Sequence, residues 1–284
     1  MIRFGLAALL GICVGGPAVA ATAFDQSDLS LPAKEANGTA VQLSGHLCLP
    51  QGVVKPRVVL FNHGKLDDPR GTVLKNCDTE QAQWFLARGF AVTYIHRRGN
   101  GKSGGSLAEN TACANPNWAI RDAQEGARDI EASVAYLASL PQLRHDGMVV
   151  QGHSAGGWAT IGFGAYKDPR VMALLNFAGG RSCNNPGQIA NASADFGAMS
   201  ATPMLWIYTA NDLWFPPADV KALYKGYSKG GGKADVHALP AYGSTQMDGH
   251  MFWQGDGATA IWGPIVETYL TERGVMGADG KAAP

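Results

Sequence analysis

Between residues 57 and 272, short apolar runs alternate with stretches of helical periodicity, and this alternation limits the fold more than any other feature of the chain. RVVLFNHG (57–64), FAVTYIH (90–96), MVVQGHS (148–154), VMALLNFAGG (171–180) and PMLWIYTAND (203–212) are nearly continuous apolar runs. Strands of that kind are buried on both faces, as they are when helices cover a parallel sheet. Helical patterns fill the intervals at 78–88, 118–140, 155–166, 217–228 and 258–272, and ADVHALP (234–240) adds a further strand. VQLSGHLCLP (41–50) alternates apolar with polar residues, the mark of a half-buried strand. The expected architecture is α/β, with a mostly parallel central sheet flanked by helices. The spacing leaves no gap for a second domain within 24–284.

The first residues fall outside that pattern. MIRFGLAALLGICVGGPAVAATA has one early Arg3, an apolar stretch broken by Gly11, Gly15, Gly16 and Pro17, and small residues suited to cleavage after Ala20 or Ala23. It reads as an export signal over residues 1–20, too short to span a bilayer, and the expected location is periplasmic or secreted. Ile12 before Cys13 argues against lipid attachment. Charge adds an exclusion: 23 basic residues balance 23 acidic ones, and no run carries the Lys and Arg excess that nucleic-acid binding requires.

Chemistry should lie in the loops that follow the strands. The string G-x-S-x-G occurs there at Gly152-His153-Ser154-Ala155-Gly156, and again around Ser103 and Ser228. Glycine is frequent enough, at 37 residues, that the string alone decides little. A nucleophile elbow needs a strand directly before the serine and a helix directly after it. Ser154 has that setting. Ser103 lies in the polar loop RRGNGKSGGS and Ser228 at the end of a helical pattern, so both are expected to be structural.

A serine hydroxyl becomes a useful nucleophile when a neighbouring base takes its proton and a third group holds that base. Asp212, at the end of its strand in TANDLWFPP, is the candidate acid; an aspartate there also suits a turn or helix cap. His237 falls inside a strand pattern, whereas His250 lies beyond it in QMDGHMFW, where a loop can reach Ser154. The backbone N–H groups of Ala155 and of Lys65, in FNHGKLDD, are the candidate oxyanion donors. His63 is expected to brace that turn.

The His63-Gly64 loop, the RRGNGKSGG loop, the GHSAGG elbow, the acid of YTANDLWFPP and the late DGH occur in the order found in the α/β-hydrolase superfamily. Over residues 40–273 the chain resembles its dienelactone-hydrolase-like and secreted esterase branches. The resemblance implies an α/β-hydrolase fold with Ser154, Asp212 and His250 as triad and Lys65 and Ala155 as oxyanion donors. True dienelactone hydrolases use a cysteine nucleophile, so their substrate does not carry over.

Segment 181–202, where a cap domain is often inserted, is short and rich in small residues, so little or no cap is expected. Trp158, Trp214, Phe215 and Trp253 are near the triad in sequence and are candidates for the substrate pocket. Four cysteines remain after signal removal, and an even number in an exported chain suggests two disulfides. Cys77 and Cys113 flank loops at the same sheet edge and are the favoured pair. No CxxC or HExxH occurs and no GxGxxG lies directly between a strand and a helix, so neither metal nor cofactor is expected. The expected activity is cleavage of a small-molecule or polymeric carboxylic ester, with no nucleic-acid partner and no stable membrane anchor. A peptidase of the same fold and a non-catalytic binding protein remain the alternatives.

Overall fold

The computed structural model describes residues 21–183 and 186–283. The expected export signal at 1–20, including Cys13, lies outside them. Eight strands form one sheet in the order β1-β2-β4-β3-β5-β6-β7-β8. Its centre holds β3 (Val58–Asn62), β4 (Ala91–Ile95) and β5 (Met148–His153), every residue of which is buried. β6 (Val171–Phe177), β7 (Met204–Thr209) and β8 (Ala234–Leu239) follow in parallel to the far edge. The continuous apolar runs of the sequence are these inner parallel strands.

At the other edge, β1 (Phe24–Lys34) pairs antiparallel with β2 (Ala40–Pro50), from Phe24 opposite Pro50 to Lys34 opposite Ala40. β1 goes beyond the sequence reading, which begins its regular elements at Ala40. Only every second residue of its second half, Leu29, Leu31 and Ala33, is buried, because an edge strand packs on one face.

The chain order fixes where the helices go. The crossover from β3 to β4 through α1 (Glu80–Leu86) runs one way along the sheet. Those through α2 (Trp118–Ser139), α3 (Ala155–Phe163), α4 (Pro186–Met199) and α5 (Pro217–Lys229) run the other way. Right-handed crossovers in opposite directions place helices on opposite faces. Accordingly α1 packs with α7 (Thr259–Glu272), while α2 to α5 contact one another in sequence on the opposite face. The direction reverses between β3 and β5, and a crevice forms at the carboxyl ends of strands beside such a reversal.

The described residues of segment 181–202 form no cap. α4 lies flat against α5, and its small residues explain why: a Cβ on Gly226 would meet Ala190 O at 2.3 Å, so the two helices nearly touch through their backbones. Ser193 secures the contact by donating from its hydroxyl to Leu223 O at 2.9 Å.

Two disulfides are formed, and they correct the sequence reading. Cys77 and Cys113 do not pair with each other: Cys77 is bonded to Cys48 and Cys113 to Cys183. Strand ends alone favour Cys77 with Cys113, whereas strand faces decide the pairing. Alternation along β2 puts His46 and Cys48 on one face, and the loop that leads into α1 brings Cys77 within reach of both.

Candidate active site

β5 ends at His153 and α3 begins at Ala155, so Ser154 makes the whole turn. It takes φ 55° and ψ −123°, outside the usual regions for a side chain with a Cβ. Surrounding contacts hold that strained conformation: Ser154 N–H donates to Phe177 O at 3.1 Å, and Ser154 O accepts from Gly180 N–H at 3.1 Å and Trp158 N–H at 3.0 Å. The flanking glycines are required sterically. A Cβ on Gly152 would lie 2.2 Å from Gly156 O, and one on Gly156 would lie 2.4 Å from both Asn62 O and His63 O. The start of α3 therefore backs directly onto the end of β3, where His63, Gly64 and Lys65 begin the next loop.

Asp212 follows β7 and is almost completely buried. Its Oδ1 accepts from Trp214 N–H at 2.8 Å and Phe215 N–H at 2.9 Å, so it shapes a turn, the structural use foreseen for it. The same carboxylate lies 3.0 and 3.1 Å from His250 Nδ1. His250 closes the short helix α6 (Gln246–His250), where the sequence pattern indicates a loop. A capping box between Thr245 and Asp248 forms that helix's start. With Nδ1–H donating to Asp212, Nε2 is the basic nitrogen of the ring.

Three further histidines line the same cleft as His250, and burial lowers the pKa of each. His153 has its pKa pushed down to about 3 by burial, then by the neighbouring His250 ring. Its Nε2–H donates to the backbone carbonyl of His250 at 2.9 Å, so the residue before Ser154 also holds His250 in place. His63 donates from Nδ1 to Gly64 O at 2.7 Å and accepts Arg97 N–H on Nε2 at 3.2 Å, bracing the loop as expected. Burial, then the Arg97 charge, holds its pKa far below the usual imidazole range. His96 meets it edge to face and is lowered to about 4, again by burial first.

Ser154, His250, Ala155, Lys65, Trp214, Phe215 and Trp253 all line one cleft of about 720 Å³, with Asp212 behind His250. Trp158 does not reach it. That side chain is buried from α3 against α2, donating from Nε1 to Ala119 O at 2.8 Å and meeting Phe196 edge to face, because the first turn of α3 faces the helical layer. The two other G-x-S-x-G serines do not line this cleft. Ser103 donates to His96 O at 2.6 Å and accepts Ser44 N–H at 2.8 Å, and Ser228 is exposed at the end of α5. His237 lies inside strand β8 as its pattern indicates, half-exposed on the sheet edge beside Asp235. Lys75, Arg181 and Gln254 also line the cleft, and none sits in a motif that would mark it in the sequence.

The strand order, the strained serine between β5 and α3, and the acid after β7 with a later histidine define a protein of the α/β-hydrolase fold. Residues 76–174, which include Ser154, match the prolyl oligopeptidase family. Comparison with curated proteins gave no match. Among solved structures, the esterase Pf2001 of Pyrococcus furiosus superposes with a TM-score of 0.59 at 16% identity, covering 88% of this chain and 90% of that one. Est1E of Butyrivibrio proteoclasticus, in a structure with ferulic acid bound, gives 0.56 at 16% identity over 85% and 98%. A Klebsiella pneumoniae protein described as a dienelactone hydrolase gives 0.59 at 13% identity over 88% and 99%.

Proposed function

We propose that this chain is an exported serine hydrolase that cleaves carboxylic esters. The observation that carries the reading is the strained Ser154 in the same cleft as a histidine whose Nδ1 is held by a buried carboxylate. Ser154 Oγ attacks the ester carbonyl while His250 Nε2 takes its proton. The backbone N–H groups of Lys65 and Ala155 stabilise the oxyanion, and Asp212 stabilises the imidazolium. Collapse expels the alcohol, protonated by His250, and leaves Ser154 acylated until water repeats the sequence in reverse.

Residues 1–20 act as the export signal and 24–284 as the single catalytic domain. Two disulfides favour an oxidising compartment. Among the described residues no helix is long and apolar enough to cross a membrane. The esterase neighbours favour ester substrates, and the cleft is bordered by the exposed apolar side chains of Val73, Trp214 and Met247 rather than by a cap.

Purified protein should hydrolyse a short-chain p-nitrophenyl ester, and Ser154→Ala should lose that activity by several orders of magnitude. Equal activity in both proteins would refute the assignment of Ser154. The prolyl oligopeptidase match supports a second reading, a peptidase with the same triad. Turnover of chromogenic peptides but not of esters would favour it.

A further inference from the structure

The cleft around Ser154 has an uneven charge. Lys65, Lys75 and Arg181 line it, against the single carboxylate of Asp67. Arg181 is already neutralised, because its Nε donates at 2.6 Å to Asp122, which is fully buried. Lys75 has no such partner. Its Nζ donates to the side-chain oxygen of Gln254, a neutral acceptor, and among the described residues no carboxylate pairs with it. The residue as a whole is exposed, yet its charged end is drawn in far enough for lost hydration to lower its pKa.

The cleft that Lys75 lines also has aromatic walls. Gln254 follows Trp253, whose ring lies 5.7 Å from those of Phe61 and His153, and Phe61 in turn meets Tyr94 at 4.9 Å. The Lys75 charge reaches His153, helping to keep that imidazole neutral. Trp214 and Phe215 line the same cleft. An unpaired ammonium beside aromatic walls is most stable when a ligand supplies the missing anion on an apolar body.

We infer that Lys75 is a specificity-determining residue and that the preferred substrate is an aromatic ester carrying a second, free carboxylate, which pairs with Lys75 while the ester carbonyl lies at Ser154. This rests on the ester-hydrolase reading above and narrows it to a substrate class.

The test compares the monomethyl ester of benzene-1,4-dicarboxylic acid with methyl 4-carbamoylbenzoate, its uncharged near-isostere. Each kcat/KM is divided by that ester's own rate with hydroxide, which removes intrinsic reactivity. The acid should be preferred about tenfold or more in the wild type, a ratio that added salt reduces. Lys75→Met should lower the ratio at least fivefold whatever happens to the absolute rates, and Lys75→Arg should retain it; a purely structural lysine would move both substrates together. The inference is overturned if the amide is turned over as well as the acid, if the preference survives in Lys75→Met, or if neither aryl ester reacts while a p-nitrophenyl ester does. If no ester reacts, the ester-hydrolase reading fails separately. Calorimetry with benzene-1,4-dicarboxylate then decides the role of Lys75: binding lost in Lys75→Met supports it, and no binding to the wild type overturns it.

Discussion

Acidification from pH 7 to pH 5 should destabilise the folded chain, and the buried histidines set by how much. His153 and His96 titrate at about 3 and about 4 when folded, against an ordinary value of 6.5. At pH 5 the unfolded chain binds both protons and the folded chain neither, so stability falls as pH drops through this window. Each histidine then costs about 2 kcal/mol relative to pH 7. His63, also lowered by burial, adds to the loss. Asp129 opposes it: burial raises its carboxyl to about 6 despite the Arg98 guanidinium, so protonation there favours the folded state. That offset is about 1 kcal/mol over the same interval. The depressed carboxylates, such as Asp146 and Asp168, start from an ordinary value of 3.8 and lose their contribution below pH 5. The histidines therefore win, by about 3 kcal/mol before His63 is counted. In urea unfolding followed by tryptophan fluorescence, with disulfides intact, this lowers the midpoint by about 1 M or more. Equal or greater stability at pH 5 would refute the reasoning, and His96→Gln should shrink the pH difference by about 2 kcal/mol.

Other expectations follow from individual contacts. Asp212→Asn should reduce kcat by about 10³- to 10⁴-fold with the fold intact, because Nδ1 loses the acceptor that fixes the tautomer; unchanged pre-steady-state acylation would contradict this. Gly156→Ala should cost about 1–3 kcal/mol and lower activity, since its Cβ would lie 2.4 Å from two carbonyl oxygens. Melting curves and ester turnover measured together would test that link. Replacing Cys113 and Cys183 with serine should cost about 4 kcal/mol by loop entropy, given a separation of 70 residues; an unaltered melting temperature would show that the loops are already fixed by other contacts.

The sheet and the elbow were legible because each depends on local sequence, and Asp212 and His250 because each follows a strand in the order that the elbow implies. A strand buried on both faces must be apolar throughout, and a strained turn between strand and helix needs small flanking residues. What escaped depends on which face of an element a residue occupies. Trp158 is near Ser154 in sequence, yet the first turn of α3 directs it into the helical layer. Cys48 pairs with Cys77 because of its strand face. β1 was missed because an edge strand half in solvent has too few apolar residues to announce itself, although Leu29, Leu31 and Ala33 keep its period of two. Lys75 carries no motif. Its significance comes from the carboxylate it lacks, which sequence does not display.

On the export proposed above, the two disulfides also differ in when they can form as the chain emerges from its amino end. Cys48 and Cys77 are 29 residues apart, and both precede β4, so that bridge can close while the central strand β5 has yet to emerge. Cys113 must wait 70 residues for Cys183, which arrives after β5, α3 and β6. The first bridge thus secures the antiparallel edge of a half-built sheet, and the second closes only once the strands on either side of Ser154 are present.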